Sequence, residues 1–265
     1  MIETVVRYVA PGSERPFFYQ YDPPSGTPNR NTKGNRQTVA LLDGRTLEPQ
    51  PTLDREGFTL VRHSTALESL YDDAAVKSVY YPEMEALVAR VTGAARVVAF
   101  DHNVRSREKA ERGEDNAKLP VRFPHNDYTI GSGPQRVRDL LPAEADDLLR
   151  RRFAVINVWK PIRGPVEEAP LAVCDARTIA SEDLLASDLR YRDRSGEIYS
   201  LAFNPAHRWY FFPRMGADEA MLLKCYDSDG GRARFTAHTA VEDPTSPPNP
   251  RPRESIEVRT LAFFD

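Results

Sequence analysis

Cysteine is nearly absent from this sequence of 265 residues, with only Cys174 and Cys225 present. Neither belongs to a CxxC pair or to a Cys/His run of zinc-finger spacing, which argues against a disulfide framework and against structural zinc. Long apolar runs are missing too. A membrane span needs about 18 or more consecutive apolar residues, and the first apolar stretch already carries Glu3 and Arg7. The expectation is a soluble, cytoplasmic protein with no membrane partner. Charge of one sign is also lacking: 36 Lys and Arg face 39 Asp and Glu, a net charge of −3. No global field for nucleic acid arises from that balance, so a small molecule is the expected partner. Glycine, at 14, is outnumbered by 22 prolines, which favours ordered loops and strand edges over long helices. The 40% of apolar residues suffices for a substantial core.

Organisation changes along the chain. Residues 1–56, with DPPSGTPNRNTKGNRQ and DGRTLEPQPTLDREG, read as an extended arm or cover with turns and short edge strands. From Ser64 onward, Leu67, Leu70, Tyr71, Val76, Val79 and Tyr80, then Met84, Leu87, Val88 and Val91, recur at helical steps interrupted near Pro82. RVVAF at 96–100 is a strand candidate, and the charged stretch 104–118 reads as a mobile loop. A strand over Val121 to Phe123 and a helix over 133–153 complete a segment, 57–153, of helices plus one strand. Residues 154–265 then hold successive short apolar runs: 154–162, 170–178, 198–203, 208–213, 220–226, 233–238 and 255–264. Their spacing predicts one mostly β domain over 1–265, an antiparallel sandwich or barrel with flanking helices.

The sharpest local pattern is His125-Asn126-Asp127. On a strand, residues two apart share a face, so one imidazole and one carboxylate point together. Such a pair supplies two of the three ligands of a 2-His-1-carboxylate site, which leaves positions open on Fe(II). A third ligand must come from a distant strand. His238, after ARFTA, and His207, before the aromatic run WYFF, are the candidates. Beyond His238, Arg253 and Ser255 lie two apart and offer a fork plus a hydroxyl suited to a carboxylate. His63 and His102 read as structural. Asn157 and Trp159 share a strand face, as do Lys224 and Tyr226, and either pair could line a cavity or serve packing.

On these residues, and on NVWKPIRGPVEEAPLAVCDART, NPAHRWYFFPRM, KCYDS, FTAHTAVEDPT and RESIEVRTLAFF, the chain resembles the non-haem Fe(II)/2-oxoglutarate oxygenases of secondary metabolism. That group includes cephem 7-methoxylase-related proteins, gibberellin desaturase-like proteins and a fungal meroterpenoid endoperoxidase. The resemblance runs from about residue 55 onward. It implies a double-stranded β-helix, the distorted, cupin-like jelly roll, with iron at its open end.

The resemblance implies that His125, Asp127 and His238 are the metal ligands and that Arg253 and Ser255 bind the distal carboxylate of 2-oxoglutarate. The interval from His238 to Arg253 exceeds the usual one in the superfamily, which keeps Arg259 as a rival anchor. Fe(II), 2-oxoglutarate and O2 are the implied cofactors and co-substrates. The implied reaction is hydroxylation, desaturation or a related oxidation of a small secondary-metabolite-like substrate. Tyr128, Trp159, Trp209 and Tyr210, placed near the mouth, suggest a compact and largely apolar one. The other readings are a metal-free cupin-like binding protein and an iron oxygenase that does not use 2-oxoglutarate. The pattern carries no signature of an oligomeric state.

Overall fold

A computed structural model describes residues 1–12 and 14–265. In chain order the elements are β1 (Ile2–Val9), β2 (Phe17–Tyr19), β3 (Gly34–Asp43), β4 (Phe58–Arg62), α1 (Asp73–Ala75), α2 (Tyr81–Thr92), β5 (Arg96–Ser106), α3 (Arg107–Arg112), β6 (His125–Asn126), α4 (Ser132–Leu140), α5 (Ala145–Leu148), β7 (Phe153–Pro161), β8 (Leu171–Cys174), β9 (Leu184–Arg190), β10 (Ser195–Leu201), β11 (Trp209–Phe211), β12 (Glu219–Asp227), β13 (His238–Ala240) and β14 (Glu254–Phe263). They form two sheets. One runs β1-β3-β11-β8-β13-β6-β10-β9-β2 and the other β4-β12-β7-β14-β5.

Strand β7 shows how the sequence builds the sandwich. Its nine residues are all buried because both faces are covered. Val155 and Trp159 face the other sheet, in a core shared with Val173 of β8, Tyr210 of β11 and Leu223 of β12. Ala154, Ile156 and Val158 face outward against Met84, Leu87 and Val88 of α2. Each of those α2 side chains contributes about 1.5–3 kcal/mol by leaving water. Helix α2 carries Pro82 in its first turn, directly after a π-helical turn over Val76–Tyr80, and closes on Gly93 at φ 72°. A third cluster, with Tyr8, Leu41, Trp209 and Phe211, covers the back of the larger sheet. The result is the jelly-roll architecture expected from the resemblance, with helices outside it.

Several local expectations change. The N-terminal segment is more than a cover: β1 pairs along its whole length with β3, and β3 pairs in parallel with β11. The stretch 104–118 is not a loop throughout, since β5 continues to Ser106 and α3 follows. Val121 to Phe123 is not a strand, although the Val121 carbonyl accepts from the Ala240 N–H. The helix predicted over 133–153 is two, α4 and α5, broken where Pro142 follows Leu141. Residues 233–237 are irregular, and β13 begins at His238.

Candidate metal and co-substrate site

Pairing of β6 with β13 sets His125 directly across from His238, with ring centroids 4.6 Å apart. His238 is also opposite Val173, a residue of the inner core, so both imidazoles point between the sheets. Asp127 lies just past the end of β6. One ligand atom from each of His125, Asp127 and His238 falls within 4.8 Å of the others. His207, the alternative third ligand, is elsewhere. Its Nε2 lies 3.0 Å from the Asp183 carboxylate and its Nδ1 3.3 Å from the Tyr8 hydroxyl, behind the larger sheet.

The surroundings leave all three side chains in the protonation states that a metal ligand needs. His125 Nδ1 lies 3.0 Å from the Phe123 carbonyl and His238 Nδ1 3.1 Å from that of Thr236. A carbonyl only accepts, so each ring carries its proton on Nδ1 and turns the Nε2 lone pair to the site. Burial, then the neighbouring His238, pushes His125 down to about 4. Burial likewise lowers His238. For Asp127, burial favours the neutral acid, but Arg259, then the two histidines and Asn157, hold its carboxyl well below the usual range. Two neutral imidazoles and one carboxylate are the protonation states that metal binding requires. Asn157 Nδ2 at 2.7 Å and Arg259 Nε at 2.9 Å both donate to Asp127 Oδ2, which orients that carboxylate from the opposite sheet.

Behind the triad runs a narrow cleft lined by His125, His238, Trp159, Arg253, Glu257 and Arg105 among others. Arg253 and Ser255 are buried, at 4% and 1% exposure, yet Arg253 Nε and Ser255 Oγ have no hydrogen-bond partner. Buried donors of this kind are costly unless something accepts from them. One Arg253 amino group donates to the Ala169 carbonyl, and the guanidinium lies 5.6 Å from the Trp159 ring centroid. Arg259, the rival anchor, is fully engaged: Nε on Asp127, Nη1 on Asp101 at 2.7 Å and Nη2 3.4 Å from Glu257. An orphaned guanidinium nitrogen and hydroxyl beside two available imidazole nitrogens are the donor chemistry that a metal-bound dicarboxylate calls for, in a cleft of only about 20 Å3.

A family described as an oxidoreductase/YMDC permease-like domain matches residues 6–263. The Fe(II)/2-oxoglutarate-dependent dioxygenase nvfI of Aspergillus novofumigatus is 34% identical over 98% of this chain and 96% of its own. The hydroxylase/desaturase efuI of Hormonema carpetanum is 33% identical over 88% and 85%. Among solved structures, the iron and alpha-ketoglutarate-dependent endoperoxidase NvfI superposes with a TM-score of 0.91 at 32% identity, covering 99% of this chain and 98% of that one. The chain belongs to the Fe(II)/2-oxoglutarate-dependent dioxygenases. It is therefore an oxidoreductase that uses Fe(II), 2-oxoglutarate and O2.

A second, larger cavity of about 1050 Å3 opens in this dioxygenase on the other side of the triad, with Asp127, Tyr128 and Arg259 in its wall. Its lining is more charged than the aromatic count suggested. Arg15, Asp101, Arg136, Asp139, Asp188 and Glu197 face it. Trp209 and Tyr210 do not. The first donates through Nε1 to the Tyr8 hydroxyl at 2.7 Å behind the sheet, and the second packs on Phe58 in the inner core.

Other residues also fall into place. His63 lies 3.9 Å from Glu83, and His102 3.0 Å from the Tyr81 hydroxyl, both away from the triad, as structural histidines should. Lys224 and Tyr226 do not share a face, because a bulge separates them. Tyr226 enters the inner core, while Lys224 is buried against Asp54 at 2.6 Å and Asp227 at 2.7 Å. Glu257 and Arg105 were not anticipated. The signal for Glu257 was available: Arg253, Ser255, Glu257 and Arg259 alternate with Ile256 and Val258, which face the helix core. Burial, then the Asp127 charge, pushes Glu257 above the usual carboxylate range.

Proposed function

We propose that His125, Asp127 and His238 hold the Fe(II) of this dioxygenase, and that Arg253 and Ser255 hold the distal carboxylate of 2-oxoglutarate. The observation that carries the reading is the buried Arg253 Nε and Ser255 Oγ without acceptors, in a cleft that ends at the His125 and His238 rings. Bound there, iron and 2-oxoglutarate supply the oxidising power to remove hydrogen from an unactivated carbon. The chain's own residues do the rest. Arg259 and Asn157 keep Asp127 ionised and oriented. The Trp159 ring and the neighbouring β8 wall exclude water from the cleft, which strengthens the Arg253 contact. The larger cavity would seat the substrate against the triad's remaining face.

The substrate in this reading is a small secondary-metabolite-like molecule, because the matched relatives are named as hydroxylase/desaturases and an endoperoxidase. Residues 1–265 would act as one domain, since the inner core takes side chains from both sheets. Neither nucleic acid nor a membrane is a partner in it; no helix among the described residues is long and apolar enough to cross a membrane. Cytoplasmic action is part of the reading, and the free buried thiols Cys174 and Cys225 suit a reducing compartment. The test is iron content together with succinate released from 2-oxoglutarate. Alanine at His125, Asp127 or His238 should remove most of both while the fold persists. Full iron in His238→Ala, with loss in His207→Ala, would overturn the ligand set.

A further inference from the structure

Five carboxylates and four arginines line the larger cavity, and they do not pair off one to one. Asp127 and Asp101 are bonded by Arg259, Asp188 and Glu197 by Arg15, and Asp139 by the Gln135 amide at 2.8 Å. Each carboxylate of the wall therefore has a donor already. Arg136 has no carboxylate partner: it forms no ion pair with any described residue, its Nε is buried without a hydrogen-bond acceptor, and the polar group its guanidinium meets is the Tyr128 phenol. Arg194, also in the wall, forms no ion pair with a described residue either but lies over the Tyr191 ring. Helix α4 carries it. Because Gly133 lies against the Tyr226 ring, where an added Cβ would come within 2.6 Å, the first turn of α4 sits flush on the core and sets the direction of Arg136. The guanidinium lies 5.7 Å from the Phe100 ring centroid and beside the Tyr128 phenol. Tyr128 directly follows Asp127 in the chain. A cation without a carboxylate partner is thus held at the wall of the cavity, beside the residue that follows Asp127.

We infer that Arg136 is a specificity-determining residue that binds an anionic oxygen group of the primary substrate, a carboxylate, and so sets which part of the substrate faces the triad. The inference rests on reading this cavity as the substrate's. A planar fork matches a carboxylate bidentately, and a guanidinium supported on an aromatic face is held in one orientation. The rest of the substrate then lies along Phe100, Leu140 and Ile198, with the paired Arg15 at the rim. This departs from a wholly apolar substrate, because a half-buried cation whose Nε lacks an acceptor penalises a neutral ligand that covers it without pairing with it.

The test uses acid and amide pairs, 4-phenylbutyrate with 4-phenylbutyramide and 1-naphthylacetate with its amide. Binding is measured by calorimetry to the full chain under argon with Fe(II) and saturating 2-oxoglutarate, so that the Arg253 cleft is already filled. The acids should bind the wild type at least about tenfold tighter than the amides, the difference a charge-assisted pair makes. Arg136→Gln should abolish the preference and Arg136→Lys should keep part of it. In the same samples, Arg136→Gln should match wild type in iron content and 2-oxoglutarate affinity. If neither protein takes up iron or 2-oxoglutarate, the assignment of the metal site fails, while an acid preference that depends on Arg136 still supports this inference. No acid preference in the wild type, including no binding of either probe, or a preference that survives Arg136→Gln, overturns it.

Discussion

Replacing Arg253 by Met should move the stability of the free protein and its affinity for 2-oxoglutarate in opposite directions. Burial pushes the guanidinium down to about 9, so it remains charged at neutral pH but is held at a cost. Removing a charge that the fold disfavours relieves that cost, and Met keeps the packing on Trp159, so the ligand-free variant should melt at or above the wild-type temperature. Affinity behaves differently. Losing one partner of a buried charge pair costs about 2–5 kcal/mol, a rise in Kd of about 30-fold or more. Suppose 2-oxoglutarate is present at about 100 times the wild-type Kd. It then stabilises the wild type by about 2.7 kcal/mol, and a variant with a 30-fold weaker Kd by about 0.9 kcal/mol. For a chain of this length that is a ligand-induced rise in Tm of about 5–11 °C falling to about 2–4 °C. Thermal melts with and without 2-oxoglutarate, on metal-loaded protein, read both effects at once. An undiminished ligand-induced shift in Arg253→Met would refute the argument. So would a larger loss in an Arg259 variant that still holds its iron.

Other perturbations should read out at separate places. Asn157→Ala removes the 2.7 Å hydrogen bond to Asp127 and should weaken iron binding about 10- to 100-fold with little change in fold, measured by competition with a chelator. His207→Phe breaks the contact with Asp183 and should lower Tm while leaving iron content at the wild-type level, which separates the two histidines. Gly57→Ala should destabilise by at least about 1–3 kcal/mol in urea unfolding, because φ is +90° and the new Cβ would meet Thr236 Oγ1 at 2.1 Å. Lys224→Met leaves Asp227, fully buried, with Arg152 at 2.7 Å as its remaining close cation, and the expected loss is about 3 kcal/mol with no effect on succinate yield per bound iron.

The candidate site was more legible as a cluster than the strands around it, for a physical reason. A 2-His-1-carboxylate site needs particular atoms, and His125, Asp127 and His238 are visible wherever they stand. The strands that carry them are less so. β13 is three residues long and β6 two, too short for any alternation to register, and they are strands because β8 and β10 pair with them. The same applies to β3, GNRQTVALLD, whose polar first half reads as loop and which becomes a strand by pairing with β1. The bulge that separates Lys224 from Tyr226 lies within an unbroken apolar run, and nothing in the composition announces the register shift.

On the two choices that sequence reasoning left open, hydrogen-bond partners favour one side of each. Two histidines could be the third ligand and two arginines could be the anchor, and in each pair the residues are chemically alike. Their surroundings are not. His207 spends both ring nitrogens, on Tyr8 and on Asp183, whereas His238 spends Nδ1 on a backbone carbonyl and keeps Nε2. Arg259 spends its fork on Asp127 and Asp101, whereas Arg253 keeps Nε unpaired beside an unpaired Ser255 hydroxyl. Arg136 repeats the pattern on the other side of the triad. Buried polar atoms without partners cost stability, and these are not alone, since His63 Nδ1, Tyr80 Oη, Glu83 Oε2 and Asn157 Oδ1 share that state; what sets Arg253 and Arg136 apart is that they line cavities. In the proposed reading that cost is recovered when a ligand supplies the missing acceptors, the co-substrate at Arg253 and Ser255 and the substrate at Arg136.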